Sequence, residues 1–461
     1  MKFPSFLLTF LFPVFPLAGL AQAQDPFYPS PPDLDTSRLF VPGDLEYKGA
    51  FKLSRSTAGT KYGLTYLVGA MTWHPEGDPG GPQDGYPGSI FIAGHSSERK
   101  VAEIAIPAPS LSRDYNSLPT AAIITPFQEI AALQSNSGIR VMDLAWLEAQ
   151  PGQSEGKIHA TLGDGYLPTP PQRTYNNANA DFTGRSAQRI FAPDLVHCYN
   201  DYLFSVPEAW AARWAPGMRL AGGRHREGDL CGEGPALYLM APWTDPQSDT
   251  VRTWPILRYK QAGGSLVSYS RGGDVYYAGA WLEGGGKGAV LFAGRKGLGQ
   301  PEYGTYCNVQ GFHDLAGYRA YMIFYDPEDL GKVHAGLMQP YEPQPYAALD
   351  VSDRLIFPMT DACRRHYLDA FAFDPANGVL YATERSRGEF PVMHVWTLTG
   401  AGGTGGTDTT GTGGGGSDTT GTGDGKPGKG KGRGNNPKLL DAQPPIPDFL
   451  MRTAPKPEGW D

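Results

Sequence analysis

Past residue 23 this chain has no long apolar run. None approaches the ~20 residues that a spanning helix needs, so a helical membrane protein is excluded. Cysteine is scarce: Cys198, Cys231, Cys307 and Cys363 are all there are. No two stand in Cys-x-x-Cys spacing, which excludes the common zinc and redox motifs. Basic residues are also short, with 39 Lys and Arg against 47 Asp and Glu and a net charge of -8. That balance argues against a nucleic-acid partner held by phosphate neutralisation. The short catalytic signatures are missing too. There is no Gly-x-Ser-x-Gly elbow and no His-Glu-x-x-His. Gly284-Gly285-Gly286-Lys287-Gly288 lacks the Ser or Thr of a phosphate loop and does not precede a helix. Helical heptads are absent.

What the chain has is a repeat. An apolar run ending in an aromatic is followed by a turn, then by a Gly-led apolar run. Ala70 to Trp73 is followed by Gly88 to Gly94, and Met142 to Trp146 by Gly156 to Gly163. Ala278 to Trp281 is followed by Gly288 to Gly294, and Phe371 to Phe373 by Gly378 to Glu384. A partial copy, Gly234 to Trp243, lies between the second and third full ones. Each full copy reads as a β-hairpin, and recurring hairpins point to radial β architecture. The expectation is an all-β propeller of about five blades, with room for a sixth, over residues 44–399. Roughly 70 residues per blade implies long insertions. Two β-sandwich domains are the competing architecture. In the propeller, Trp73, Trp146, Trp281 and Phe373 take equivalent core positions in four blades.

The ends differ in character. Residues 1–23 read as a secretion signal: Lys2, an apolar Phe6 to Leu20, and Ala21-Gln22-Ala23 before the cut. Secretion or display at the cell surface follows, with 24–43 as an N-terminal extension. An even cysteine count in an exported chain favours disulfides, and Cys198–Cys231 with Cys307–Cys363 is the preferred of three pairings. Residues 400–437 are a Gly/Thr/Asp-rich and then basic linker, read as disordered. Residues 438–461 form a Pro-rich tail too short for its own core.

In a propeller the turns after each second strand share one face. On the repeat alignment that rim carries His95, Asp164, Tyr166, Trp243, Arg295, Lys296, Glu384 and Arg385. Loops on a rigid scaffold commonly carry function, and these are the candidate ligand-binding residues. The candidate carboxylates for acid–base chemistry are Asp143, Asp164, Glu233 and Glu384. Asp143 interrupts an apolar strand, where an ionised group needs a partner; backbone donors between blades are one such partner. The run Arg224-His225-Arg226-Glu227-Gly228-Asp229 before Leu230 and Cys231 is the richest polar cluster, yet it holds no metal-ligand spacing. Glu76, Asp78 and Asp84 offer oxygen ligands without forming an EF-hand loop. No cofactor and no metal is expected.

Several phrases carry a resemblance. They are Ser89 to His95, Gly234 to Tyr238, Phe324-Tyr325-Asp326-Pro327-Glu328-Asp329-Leu330, and Tyr341-Glu342-Pro343-Gln344-Pro345-Tyr346. On them the chain resembles secreted bacterial β-propeller-like proteins of uncharacterised function, over roughly residues 44–399. The resemblance implies a propeller and brings no reaction and no catalytic residue. Five-bladed glycosidases share the architecture alone, and their early Asp motif is not evident here.

The leading functional expectation is a monomeric propeller that binds an extracellular glycan or peptide at the polar rim. The alternatives are a glycoside hydrolase or lyase with a carboxylate pair in the channel, and a structural cell-surface protein.

Overall fold

The structure is a computed structural model. It describes Tyr28 and residues 31–400, apart from 66, 68, 79–80, 82–84, 96–97, 132–139, 164–172, 192–200, 226–233, 260–273, 307–308, 358–366 and 385–390. The signal, the linker, the tail and all four cysteines therefore lie outside the described residues. No helix among the described residues is long and apolar enough to cross a membrane.

Five sheets surround one axis, and the chain is an all-β five-bladed propeller. Blade 1 runs outward through Met71–His74, Ser89–Ala93, Lys100–Ala105 and Ile123–Glu129. Blade 2 is Arg140–Leu147, Lys157–Gly163, Arg173–Ala178 and Arg189–Phe191. Blade 3 is Tyr202–Ser205, Leu220–Arg224, Ala236–Met240 and Thr253–Leu257. Blade 4 is Val275–Gly284, Lys287–Gly297, Tyr318–Tyr325 and Ala347–Asp350. Blade 5 takes Leu368–Asp374, Val379–Glu384 and Val392–Leu398 from the end of the chain. Its fourth strand is Leu45–Leu53, from the start. The innermost strands contact one another in ring order, and the ring closes from blade 5 to blade 1.

The five seams between blades each hold one apolar cluster. The repeat explains them. Trp73 pairs with Ile90, Trp146 with Ile158, Trp281 with Val290 and Phe373 with Leu380. Each aromatic packs into the seam with the preceding blade, so the four positions are equivalent as expected. In blades 1 and 2 the Gly that leads the second strand makes room for the ring. A Cβ on Gly88 would lie 2.6 Å from the Trp73 Nε1, and one on Gly156 would lie 2.3 Å from the Trp146 ring.

Blade 3 departs from the sequence reading. The partial copy Gly234 to Met240 forms its third strand, not its second. The true hairpin is Tyr202–Ser205 with Leu220–Arg224. There Ser205 stands opposite Leu220, where the other blades place an aromatic. The missing indole hid the copy.

Two short strands lash neighbouring blades together. Thr120–Ala121, between the third and fourth strands of blade 1, pairs in parallel with Leu45–Leu53 of blade 5. Thr250–Val251, from the same connection in blade 3, pairs with Arg189–Phe191 of blade 2. The buried Arg189 guanidinium fastens that second strap. It donates to the carbonyls of Pro242, Asp245, Ser248 and Thr250 at 2.6–2.8 Å.

Candidate functional site at the mouth of the propeller

Innermost strands begin, and second strands end, on one face of the ring. His95 of blade 1, Arg295 and Lys296 of blade 4 and Glu384 of blade 5 all lie on it, as the alignment expects. Asp164, Tyr166, Glu233 and Arg385 fall outside the described residues. Trp243 does not share the face, because it follows a third strand and so emerges on the opposite side. It is 9 % exposed, sits edge-on to His159 at 5.9 Å, and packs over Gly152 in the hairpin turn of blade 2.

The remaining rim residues are anchored. His95 stacks on Tyr62 at 4.2 Å, and burial lowers its pKa. The buried Arg295 guanidinium lies 4.3 Å over the Tyr318 ring. Lys296 is buried against Asp274 at 2.6 Å, and Asp274 also accepts from the Gly297 N–H at 2.7 Å. Glu384 accepts from the N–H groups of Ile356 and Phe357 at 2.7 and 2.8 Å, and pairs with His394 Nε2 at 2.8 Å.

Asp143 joins three blades. One carboxylate oxygen accepts from Met71 of blade 1 and Leu144 of its own strand, and the other from Leu203 of blade 3. Burial pushes its carboxyl well up, and these amide donors oppose that shift. Asp369 of blade 5 adds to the upward push through its charge. Asp369 itself is buried beneath Gly69, where a Cβ would lie 2.5 Å from its Oδ1. Asp143 and Glu384 thus have their oxygens occupied by amides and imidazole.

Blade 3 repeats the arrangement of blade 4. Asp201 precedes its innermost strand as Asp274 precedes that of blade 4. The Asp201 carboxylate meets His225 Nδ1 at 2.5 Å, the His225 N–H at 3.0 Å and Arg224 Nε at 3.6 Å. Burial alone would raise the Asp201 carboxyl, but His225 and Arg224 hold it down at about 2. Tyr202 pairs with Gly223 as Val275 pairs with Arg295, so Arg224 stands where Lys296 does and the His225 N–H where the Gly297 N–H does.

The His225 ring lies 4.2 Å from the Tyr277 ring of blade 4, and Tyr277 stacks on Tyr367, just before blade 5, at 5.7 Å and 12°. Three aromatic rings from three blades therefore line one side of the mouth. Tyr277 is half-buried, and the His225 side chain is 14 % exposed. Tyr277, Tyr367 and Asp201 stand outside the hairpin repeat, so the alignment could not select them. The rings pack face on face and Tyr367 is 3 % exposed, so they form a stacked column bordered by charge.

No protein-family model matches the sequence, and no curated protein matches it. Solved structures with a similar course of strands include the catalytic domain of a Coprinopsis cinerea GH62 α-L-arabinofuranosidase. It is 8 % identical, with TM-score 0.33, over 76 % of this chain and 97 % of that one. The α-L-arabinofuranosidase PaAbf62A from Podospora anserina, solved with cellotriose, is 9 % identical at TM-score 0.31, over 76 % and 97 %. The C-terminal WD40 domain of Sif2 is 12 % identical at TM-score 0.26, over 78 % and 99 %. At these scores none of the three carries an argument about activity, and no residue role passes from them to this chain.

Proposed function

We propose that this protein is an extracellular ligand-binding propeller that takes a glycan at the mouth, beside the stacked rings of Tyr277 and His225. The observation that carries the reading is the His225–Tyr277–Tyr367 row, contributed by three blades and bordered by Asp201 and Arg224. Aromatic rings with adjacent polar groups suit a glycan, whose C–H groups take the apolar contact while its hydroxyls take hydrogen bonds. Hydrolysis through a carboxylate pair has less support. A pair about 5–5.5 Å or 6.5–9.5 Å apart must have oxygens able to exchange protons. Asp143 and Glu384 spend theirs on backbone amides and His394.

A glycan array followed by titration calorimetry tests the reading, with product analysis of each bound polymer. Tyr277→Ala should weaken binding about tenfold, the loss of about 1.4 kcal/mol expected for a stacking contact. Unchanged affinity in both Tyr277→Ala and His225→Ala would remove the mouth as the site. Release of shortened oligosaccharides would restore the hydrolase.

A further inference from the structure

The N-terminal extension is fastened to both flanks of blade 4. Tyr28 is buried in the seam between blades 3 and 4, with its hydroxyl against that of Tyr276 and its ring 6.0 Å from Tyr321. Leu39 and Phe40 are buried in the seam between blades 4 and 5. The Arg38 guanidinium grips the Asp326 carboxylate, just past the third strand of blade 4, in two hydrogen bonds of 2.6 and 2.7 Å. The backbone adds to this hold. The Gly288 N–H donates to the Arg38 carbonyl at 2.9 Å and the Phe40 N–H to the Gly288 carbonyl at 3.3 Å. The Tyr346 hydroxyl donates to the Phe40 carbonyl at 2.6 Å. At the end of the extension, Lys287 of blade 4 pairs with the Asp44 carboxylate at 3.0 Å. Thr399, just past blade 5's third strand, donates its N–H to the Asp44 carbonyl at 2.8 Å. Leu45 comes next, the first residue of the closing strand.

Ordering a chain end costs backbone and side-chain entropy, and burial of three large side chains with a bidentate ion pair offsets it. The closing strand therefore does not end freely at Leu45. Pulling Leu45–Leu53 out of blade 5 carries Asp44 with it, and Asp44 is tied to blades 4 and 5 at once. We infer that Tyr28 and residues 31–44 form a strap that locks the ring: the closing strand leaves blade 5 only after the strap has released blade 4. The latch is the Arg38–Asp326 pair, because two parallel charge-assisted bonds fix both position and direction. The strap is independent of what the mouth binds, since its contacts to Gly288 and Asp326 lie at the opposite end of blade 4 from the rim.

The test is native-state hydrogen exchange on the whole protein, read at the amides that join Leu45–Leu53 to Val392–Leu398. Arg38→Gln should speed their exchange about tenfold, the loss of one hydrogen bond to a charged group. Strand Lys157–Gly163 of blade 2 should keep its wild-type rate. Asp326→Asn should act as Arg38→Gln does, since an Asn side chain still caps the Glu328 N–H. The double variant should open no faster than either single one, as expected of two partners in one contact. Tyr28→Ala, acting on the other flank, should also speed exchange at the closing strands. Unchanged exchange there in both Arg38→Gln and Tyr28→Ala overturns the strap. Equal acceleration in Lys157–Gly163 overturns it too, because the loss is then one of global stability alone. Additive effects in the double variant overturn the latch and with it the order of release.

Discussion

Mild acid should loosen the seam between blades 2 and 3, and His159 is the reason. It is buried on the second strand of blade 2, with Nδ1 at 2.6 Å from the Tyr175 hydroxyl and Trp243 edge-on. Burial, with the Lys157 ammonium on the same strand as a second cause, lowers its pKa to about 3. An unfolded imidazole titrates near 6.5. The folded value is the depressed one, so the stability His159 contributes is complete above about pH 6.5. It drains away as pH falls toward about 3. Over the step from about pH 7 to about pH 5 the loss is about 2 kcal/mol, and near the folded value it approaches about 5 kcal/mol. For a domain of this size, 2 kcal/mol moves Tm by about 2–3 °C. The assay is thermal and urea unfolding of wild type and His159→Phe at both pH values, comparing slopes rather than absolute stability. Phe keeps a ring against Tyr175 and Trp243 and cannot be protonated. The variant should therefore lose about 2 kcal/mol less than wild type over that step. Equal losses in the two proteins would refute the assignment.

Other perturbations separate fold from site. Gly294→Ala would set a Cβ 1.8 Å from the Val275 carbonyl and force apart the two inner strands of blade 4; about 3 kcal/mol or more should be lost in denaturant titration. Gly43→Ala, with nothing within 4 Å, should change little by the same measure. Arg189→Met strips donors from four carbonyl contacts, one of them buried, and should cost about 3–5 kcal/mol, and Arg189→Lys should recover only part because an ammonium lacks the fork. Asp143→Asn turns an NH2 donor toward a backbone N–H that then has no acceptor, so unfolding should come about 1–3 kcal/mol earlier while glycan affinity at the mouth holds. Deletion after Gly400 should leave that affinity intact in calorimetry.

The propeller was legible because its repeat is a packing rule. In two blades the indole on the inner strand lies against the Gly that starts the next, Gly88 under Trp73 and Gly156 under Trp146. Where Ser205 replaces the indole, the rule leaves no trace. Apolar-run matching then settled on Ala236–Met240, one strand too late, and Trp243 was drawn to the wrong face. The interior role of Asp143 was visible as a charge in an apolar run, but its three amide donors come from three blades and are set by tertiary geometry alone. The aromatic row at the mouth was not legible for the same reason. His225, Tyr277 and Tyr367 are far apart in sequence and become neighbours only through the rotation between blades.

The sheet that closes the ring has a consequence for how the chain acquires its structure. Leu45 pairs with Leu398, so the first strand made waits for the last. During synthesis the strand Leu45–Leu53 has no antiparallel partner, and blade 5 exists only as an edge open to pairing with other chains. Loop closure on that scale is entropically slow and leaves an aggregation-exposed interval. Once the ring is shut, the same pairing acts in reverse: no blade can peel away from either end without first undoing a seam. Resistance to proteolysis should therefore be set by the rate at which Leu45–Leu53 and Val392–Leu398 separate.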